Sequence, residues 1–145
     1  AGDAERGRDL YFTAAGMSCK QCHRIGDAGP AVGPSLESIG LTRKRPEILE
    51  SILMPSAKIE EKYQGFLALM SDGQVVTGLK QRETDAAVFL VDAQNKLHEL
   101  DQDEMEQLKP LAKSLMPENL LAELTAQQAA DLLAFLCSQQ MPVSQ

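Results

Sequence analysis

Cys19, Cys22 and His23 stand within five residues, in the run Cys19-Lys20-Gln21-Cys22-His23, and carry most of the chemistry this chain offers. Two thiols three positions apart lie on one side of a short helical turn, and an imidazole directly after them is carried over the face they define. The run matches the C-x-x-C-H pattern in which both sulfurs add to the vinyl groups of one porphyrin and the histidine ligates the iron as proximal ligand. The same two-sulfur spacing serves thiol redox centres and one half of a zinc site. A thioredoxin-like centre wants a preceding βα unit, whereas the upstream sequence reads as one helix. A four-ligand zinc site wants two more donors, and only Cys137 and His98 remain, far away in unsuitable segments.

If His23 ligates a haem iron, a carbonyl acceptor for its Nδ1 hydrogen would orient the ring and raise its donor strength, and Pro34 is placed to supply one. Six methionines compete for the opposite axial position. Met17 is too close to Cys19 to reach the other face, Met70 ends a strand, Met105 falls in an acidic helix and Met141 lies beyond the last helix. Met54 and Met116 each precede a proline, which holds the preceding residue extended and helps a loop present a thioether. Met116 leads directly into the final helix and is the preferred ligand. Met54, His98, another donor or an open site are the alternatives. His98, next to Glu99 in a strand-like segment, reads as a surface or hydrogen-bonded residue.

The elements that must position these residues are mostly helical at the two ends. Asp3 caps a helix predicted over 4–15, with Gly7 and Tyr11 on one face and Gly16 ending it. Gly7 costs about 1 kcal/mol relative to alanine inside a helix, and a close helix crossing at that point gives a reason for it. Gly26, Gly29, Pro30, Gly33 and Pro34 read as an irregular loop along the cofactor edge. Pro46 opens a helix with Ile48, Leu49, Ile52 and Leu53 as its apolar face, and Pro55 stops it. Residues 63–70, 74–81, 87–91 and 97–100 read as short antiparallel strands joined at Asp72-Gly73, at Glu83-Thr84-Asp85 and after Gln94-Asn95. Asp101 to Glu104 has capping-box spacing and predicts a helix through Leu108. Thr125 with Gln128 starts a last helix through Gln139, whose buried stripe is Ala129, Leu132, Leu133, Phe135 and Leu136.

The 145 residues suffice for one core, so the expectation is a single domain over 1–145 with the sheet at 63–100 as an insertion. The formal charge of −7 argues against a polyanion-binding role such as nucleic acid. Residues 1–98 carry 12 basic and 13 acidic side chains against 2 and 8 in 99–145, so the acidity is polarised towards the C-terminal third. Lys20 and Arg24 flank the thiol run, and Arg43-Lys44-Arg45 could meet haem propionates or solvent. No apolar stretch is long enough to span a bilayer. Covalent haem attachment needs an export-linked assembly pathway, which points to the periplasm or another extracytoplasmic space, with a signal peptide removed. Cys137 has no local cysteine partner and is a buried thiol, the link in a disulfide-bonded homodimer, or a reactive thiol.

Gly7, Tyr11, the Cys19 to His23 run, Gly33-Pro34 with Leu36, Met116-Pro117 and Asp131 to Leu136 resemble a class I cytochrome c. Leu53 to Ile59, Tyr63, Asp72 to Gly78 and the Met116-Pro117 segment resemble the haem-binding cytochrome domain common in planctomycete and verrucomicrobial proteins. The resemblance implies a mainly α, class I cytochrome c fold with an inserted antiparallel meander of three to four short strands, and terminal helices that cross at Gly7, Tyr11 and Phe135. It implies one covalently attached haem c bound by Cys19, Cys22, His23, Pro34 and Met116, with His23 and Met116 on the iron. The function expected from it is a monohaem carrier of single electrons between protein redox partners, with no catalysis of its own. The alternatives are a gas-binding or sensor cytochrome with an open sixth site and a haem subunit of a larger oxidoreductase.

Overall fold

A computed structural model describes residues 1–13, 19–27 and 32–142. Gly16, Met17, Gly29 and Pro30 lie outside the described residues. The first helix, α1 (Ala4–Thr13), begins where Asp3 accepts the Arg6 amide on Oδ1 at 2.9 Å and places Glu5 in the first turn. The last, α5 (Ala126–Cys137), is opened by a reciprocal pair: Gln128 N donates to Thr125 Oγ1 at 3.1 Å and Thr125 N to Gln128 Oε1 at 2.9 Å. It closes two residues short of Gln139.

The two helices cross at Gly7. A Cβ there would stand 1.9 Å from the Asp131 carbonyl oxygen, so only glycine permits the approach. That approach brings Tyr11 and Phe135 to 5.6 Å between ring centroids and sets Phe12 edge-on to Tyr11 at 4.9 Å. The same crossing buries Asp131, which is 2 % exposed. Its carboxylate accepts from Arg6 Nε at 2.8 Å, Asp3 N at 2.7 Å and Gln127 Nε2 at 2.8 Å, joining both chain ends in one knot. The Arg6 guanidinium is the main cause holding this carboxyl below the usual carboxylate range.

A depressed folded-state pKa stabilises the protein above the unfolded-state value of about 3.9 and ceases to do so as pH falls through the folded value. Asp131→Asn is therefore expected to lower stability at pH 7 and to flatten its loss below about pH 4. Urea midpoints measured from pH 7 to pH 2 for both proteins check this; parallel curves would contradict it.

The helices α2 (Cys19–Cys22), α3 (Ile39–Thr42) and α4 (Arg45–Leu53) lie between the terminal pair in sequence. Pro46 occupies the first turn of α4, Lys44 N donates to Glu47 Oε2 at 2.7 Å, and Ile48 and Ile52 face inward. They complete a core with Tyr11, Leu132, Leu133, Phe135 and Leu136.

The middle of the chain departs from the mainly α expectation. Strands β1 (Gly65–Met70), β2 (Val75–Glu83), β3 (Ala87–Val91), β4 (Leu97–Asp101) and β5 (Met105–Pro110) form one antiparallel sheet in the order β4-β3-β2-β1-β5. The fold is thus mixed, helices plus a substantial five-stranded sheet, and the class I cytochrome c fold with a minor meander is corrected on this point.

The helix predicted through Leu108 is replaced by β5. The Asp101 signal is used instead for a short turn, its Oδ1 accepting Asp103 N at 2.8 Å ahead of a single 3-10 turn, Gln102–Glu104. β1 then offers a free edge, and Ala68 pairs with Leu108 and Met70 with Met105. Pro110, which lacks an amide donor, is accommodated because β5 is an edge strand.

Ala68, Met70, Val76, Val88, Leu90 and Leu100 line the buried face, with Phe66, Met105 and Leu108 packed against them. All nine belong to strands, so the sheet builds a core of its own. The chain enters and leaves this unit side by side: Leu111 N donates to Gly65 O at 2.8 Å and Gln64 Nε2 to Leu111 O at 2.6 Å.

Candidate functional site

α2 is a single turn holding both sulfurs, and its ladder extends to His23, whose amide donates to Cys19 O at 2.9 Å. Three contacts fix the turn from outside. Gly33 N donates to Cys22 O at 2.7 Å, Tyr11 OH donates to His23 O at 3.2 Å, and His23 Nδ1 lies 2.7 Å from Pro34 O. With the Nδ1 hydrogen given to that carbonyl, Nε2 is left as the basic nitrogen. Gly33 sits flat against the imidazole, where a Cβ would come within 2.7 Å of Cε1. Gly33→Ala is expected to displace the ring, costing about 1–3 kcal/mol. Loss of the low-field Nδ1 proton resonance of His23, with a lower melting temperature, checks this; an unchanged resonance would contradict it.

The electrostatics favour neutral groups. Burial pushes the Cys19 thiol up to about 11 and raises that of Cys22. Burial also lowers the His23 imidazole, with the Pro34 carbonyl acting in the opposite direction. At neutral pH both sulfurs are therefore thiols and the ring is uncharged. None of the three cysteines forms a disulfide. Cys137 is half-buried at the end of α5, against the helical core.

The other candidates are dispersed. Met116 packs against the same core cluster as Cys19, and its amide donates to Ser114 Oγ at 3.1 Å. Met54 follows α4 and is 53 % exposed, whereas Met70 is buried within the sheet. His98 Nε2 lies 2.8 Å from Asp92 Oδ2, which gives it a structural role. Arg43 pairs with Glu60 at 3.2 Å, and Lys44 and Arg45 are exposed.

One contact lies beyond what the sequence suggested. Cys22 Sγ is 3.8 Å from the Ala93 carbonyl oxygen, at the tip of the β3–β4 hairpin. No local pattern signals it, because the position of that tip depends on the whole sheet.

Among the described residues, no group of three or more His, Cys, Asp or Glu side chains is placed to hold a metal ion. The haem c expectation, with His23 and Met116 as ligands of an iron, is corrected on that finding, and with it the resemblance to class I cytochromes, the monohaem electron carrier and the gas-binding and oxidoreductase-subunit alternatives. No family model matches the chain, and no curated protein is significantly similar to it. No helix among the described residues is long and apolar enough to cross a membrane.

Proposed function

We propose that the protein transfers electrons between protein redox partners, without catalysis of its own, and that the sulfur pair of Cys19 and Cys22 is its redox centre. The observation that carries this reading is the placement of both thiols on one helical turn beside a neutral imidazole whose orientation Pro34 sets. Oxidation joins the sulfurs: two R–SH groups become R–S–S–R, while two protons and two electrons pass to the disulfide of an oxidised partner protein, which becomes two thiols. The Nε2 of His23 is the nearest base in sequence to accept one of those protons.

Burial makes the exchange slow at neutral pH. The thiolate is the attacking species, and raised thiol pKa values keep its fraction small at neutral pH. Because the reduced form gains no thiolate stabilisation, the couple is a reducing one. Met116 belongs to the apolar cluster that limits water on the Cys19 side. We place this exchange in the periplasm or another extracytoplasmic space, where oxidising partners draw electrons from such a pair.

Mediated coulometry on the full chain tests the reading. Reversible uptake and release of an electron pair per chain is expected, with Cys19 and Cys22 open to alkylation only when reduced. No electron uptake, or uptake that leaves the count of reactive thiols unchanged, would overturn it.

A further inference from the structure

The β3–β4 hairpin tip is built around one carboxylate. Asp92 Oδ1 accepts the amides of Gln94 at 3.0 Å and Lys96 at 2.9 Å, while its Oδ2 meets His98 Nε2 at 2.8 Å. Asn95 takes the left-handed conformation at φ 63° that the tight turn needs, and its amide donates to Asp92 O at 3.0 Å. These contacts fix where the Ala93 carbonyl points, and it points to Cys22 Sγ, 3.8 Å away and 71 positions earlier in the chain. A hydrogen bond from S–H to a carbonyl stabilises the thiol against loss of its proton.

We propose that Asp92 and His98 are positioning residues for the redox centre, holding the hairpin tip so that Ala93 shelters the Cys22 thiol and keeps its proton in place. This inference rests on the sulfur-pair reading above. It assigns the sheet a direct part in controlling one of the two sulfurs, through the tip that reaches Cys22. Lengthening or losing the contact destabilises the reduced form, so the midpoint potential falls and the sulfur becomes more open to electrophiles.

The test is site-resolved alkylation of the native, reduced full chain by iodoacetamide, with peptide mass spectrometry giving separate rates for Cys19, Cys22 and Cys137. Asp92→Ala removes the acceptor for both amides and for His98, and is expected to speed Cys22 alkylation about tenfold and to lower the midpoint potential. Asp92→Asn keeps an oxygen at the Oδ1 position, so its rate should stay within about twofold of wild type. His98→Ala, which removes only the side-chain tie, should fall between them. A general loosening of the fold would instead accelerate all three cysteines alike.

A folded Asp92→Ala protein whose Cys22 reacts no faster than wild type, or a uniform rise at the three sites, overturns the positioning role while leaving the sulfur pair intact. A Cys22 that fails to react even in the denatured, reduced chain overturns the sulfur-pair reading and this inference together.

Discussion

Gly7→Val is expected to lower stability by about 3 kcal/mol or more, roughly 10 °C in melting temperature for a chain of this size. The added Cβ would meet the Asp131 carbonyl oxygen at 1.9 Å, its carbon at 2.5 Å and the Phe135 Cβ at 2.8 Å. Two of the three are backbone atoms of a helix and cannot rotate aside, so α1 and α5 must separate. Separation loosens the Tyr11–Phe135 contact and draws Arg6 and the Asp3 amide from Asp131, leaving a buried carboxylate short of donors. Valine in a helix interior regains only a few tenths of a kcal/mol over glycine, far less than the clash costs. Gly73→Ala is the control. Its φ of 89° strains any side chain, but nothing lies within 4 Å, so a loss of about 1 kcal/mol is expected. Equal melting temperatures for the two variants would show that the crossing does not determine stability.

The double variant Cys19→Ser/Cys22→Ser is expected to abolish electron uptake altogether, the largest functional effect in the molecule. Serine hydroxyls do not cycle between oxidation states under conditions that oxidise thiols, and no other cysteine lies on that turn. Cys137→Ser should leave uptake intact, because Cys137 sits at the end of the opposite terminal helix. Cys19 packs against the helical core, so the double variant should also lose roughly 1 kcal/mol of stability. Coulometry of the three proteins side by side decides this. Electron uptake that persists in the double variant would place the redox centre elsewhere.

Much of the helical part was legible because its signals are local and redundant. Asp3 and Thr125 open helices with side-chain caps, Pro46 sits in a first turn, and the apolar spacing of Leu132, Leu133, Phe135 and Leu136 admits one face. The glycine crossing followed from the cost of Gly7 in a helix. Strands β1 to β4 were legible through Asp72-Gly73 and Gln94-Asn95, where the chain needs unusual backbone angles. β5 was not legible. The Asp101 to Glu104 pattern suits a helix start and a strand turn equally, and the choice was made by the open edge of β1, a tertiary feature.

The site divides in the same way. The His23 to Pro34 contact spans 11 positions, short enough to be read from the sequence. The Arg6 to Asp131 ion pair and the Cys22 to Ala93 contact span 125 and 71 positions. Each requires a helix crossing or a finished sheet before the partners meet, so composition and period carry no sign of them. The haem expectation leaned on the Cys19 to His23 motif together with the resemblance, and a motif is only as informative as the donors that the fold gathers around it.

The central claim, that Cys19 and Cys22 are thiols that give up and regain electrons, is tested most directly by intact-mass analysis of the denatured, reduced protein before and after alkylation. The predicted result is the mass of the bare chain, with all three cysteines taking the label. A chain heavier than its sequence, with Cys137 alone labelled, would contradict it.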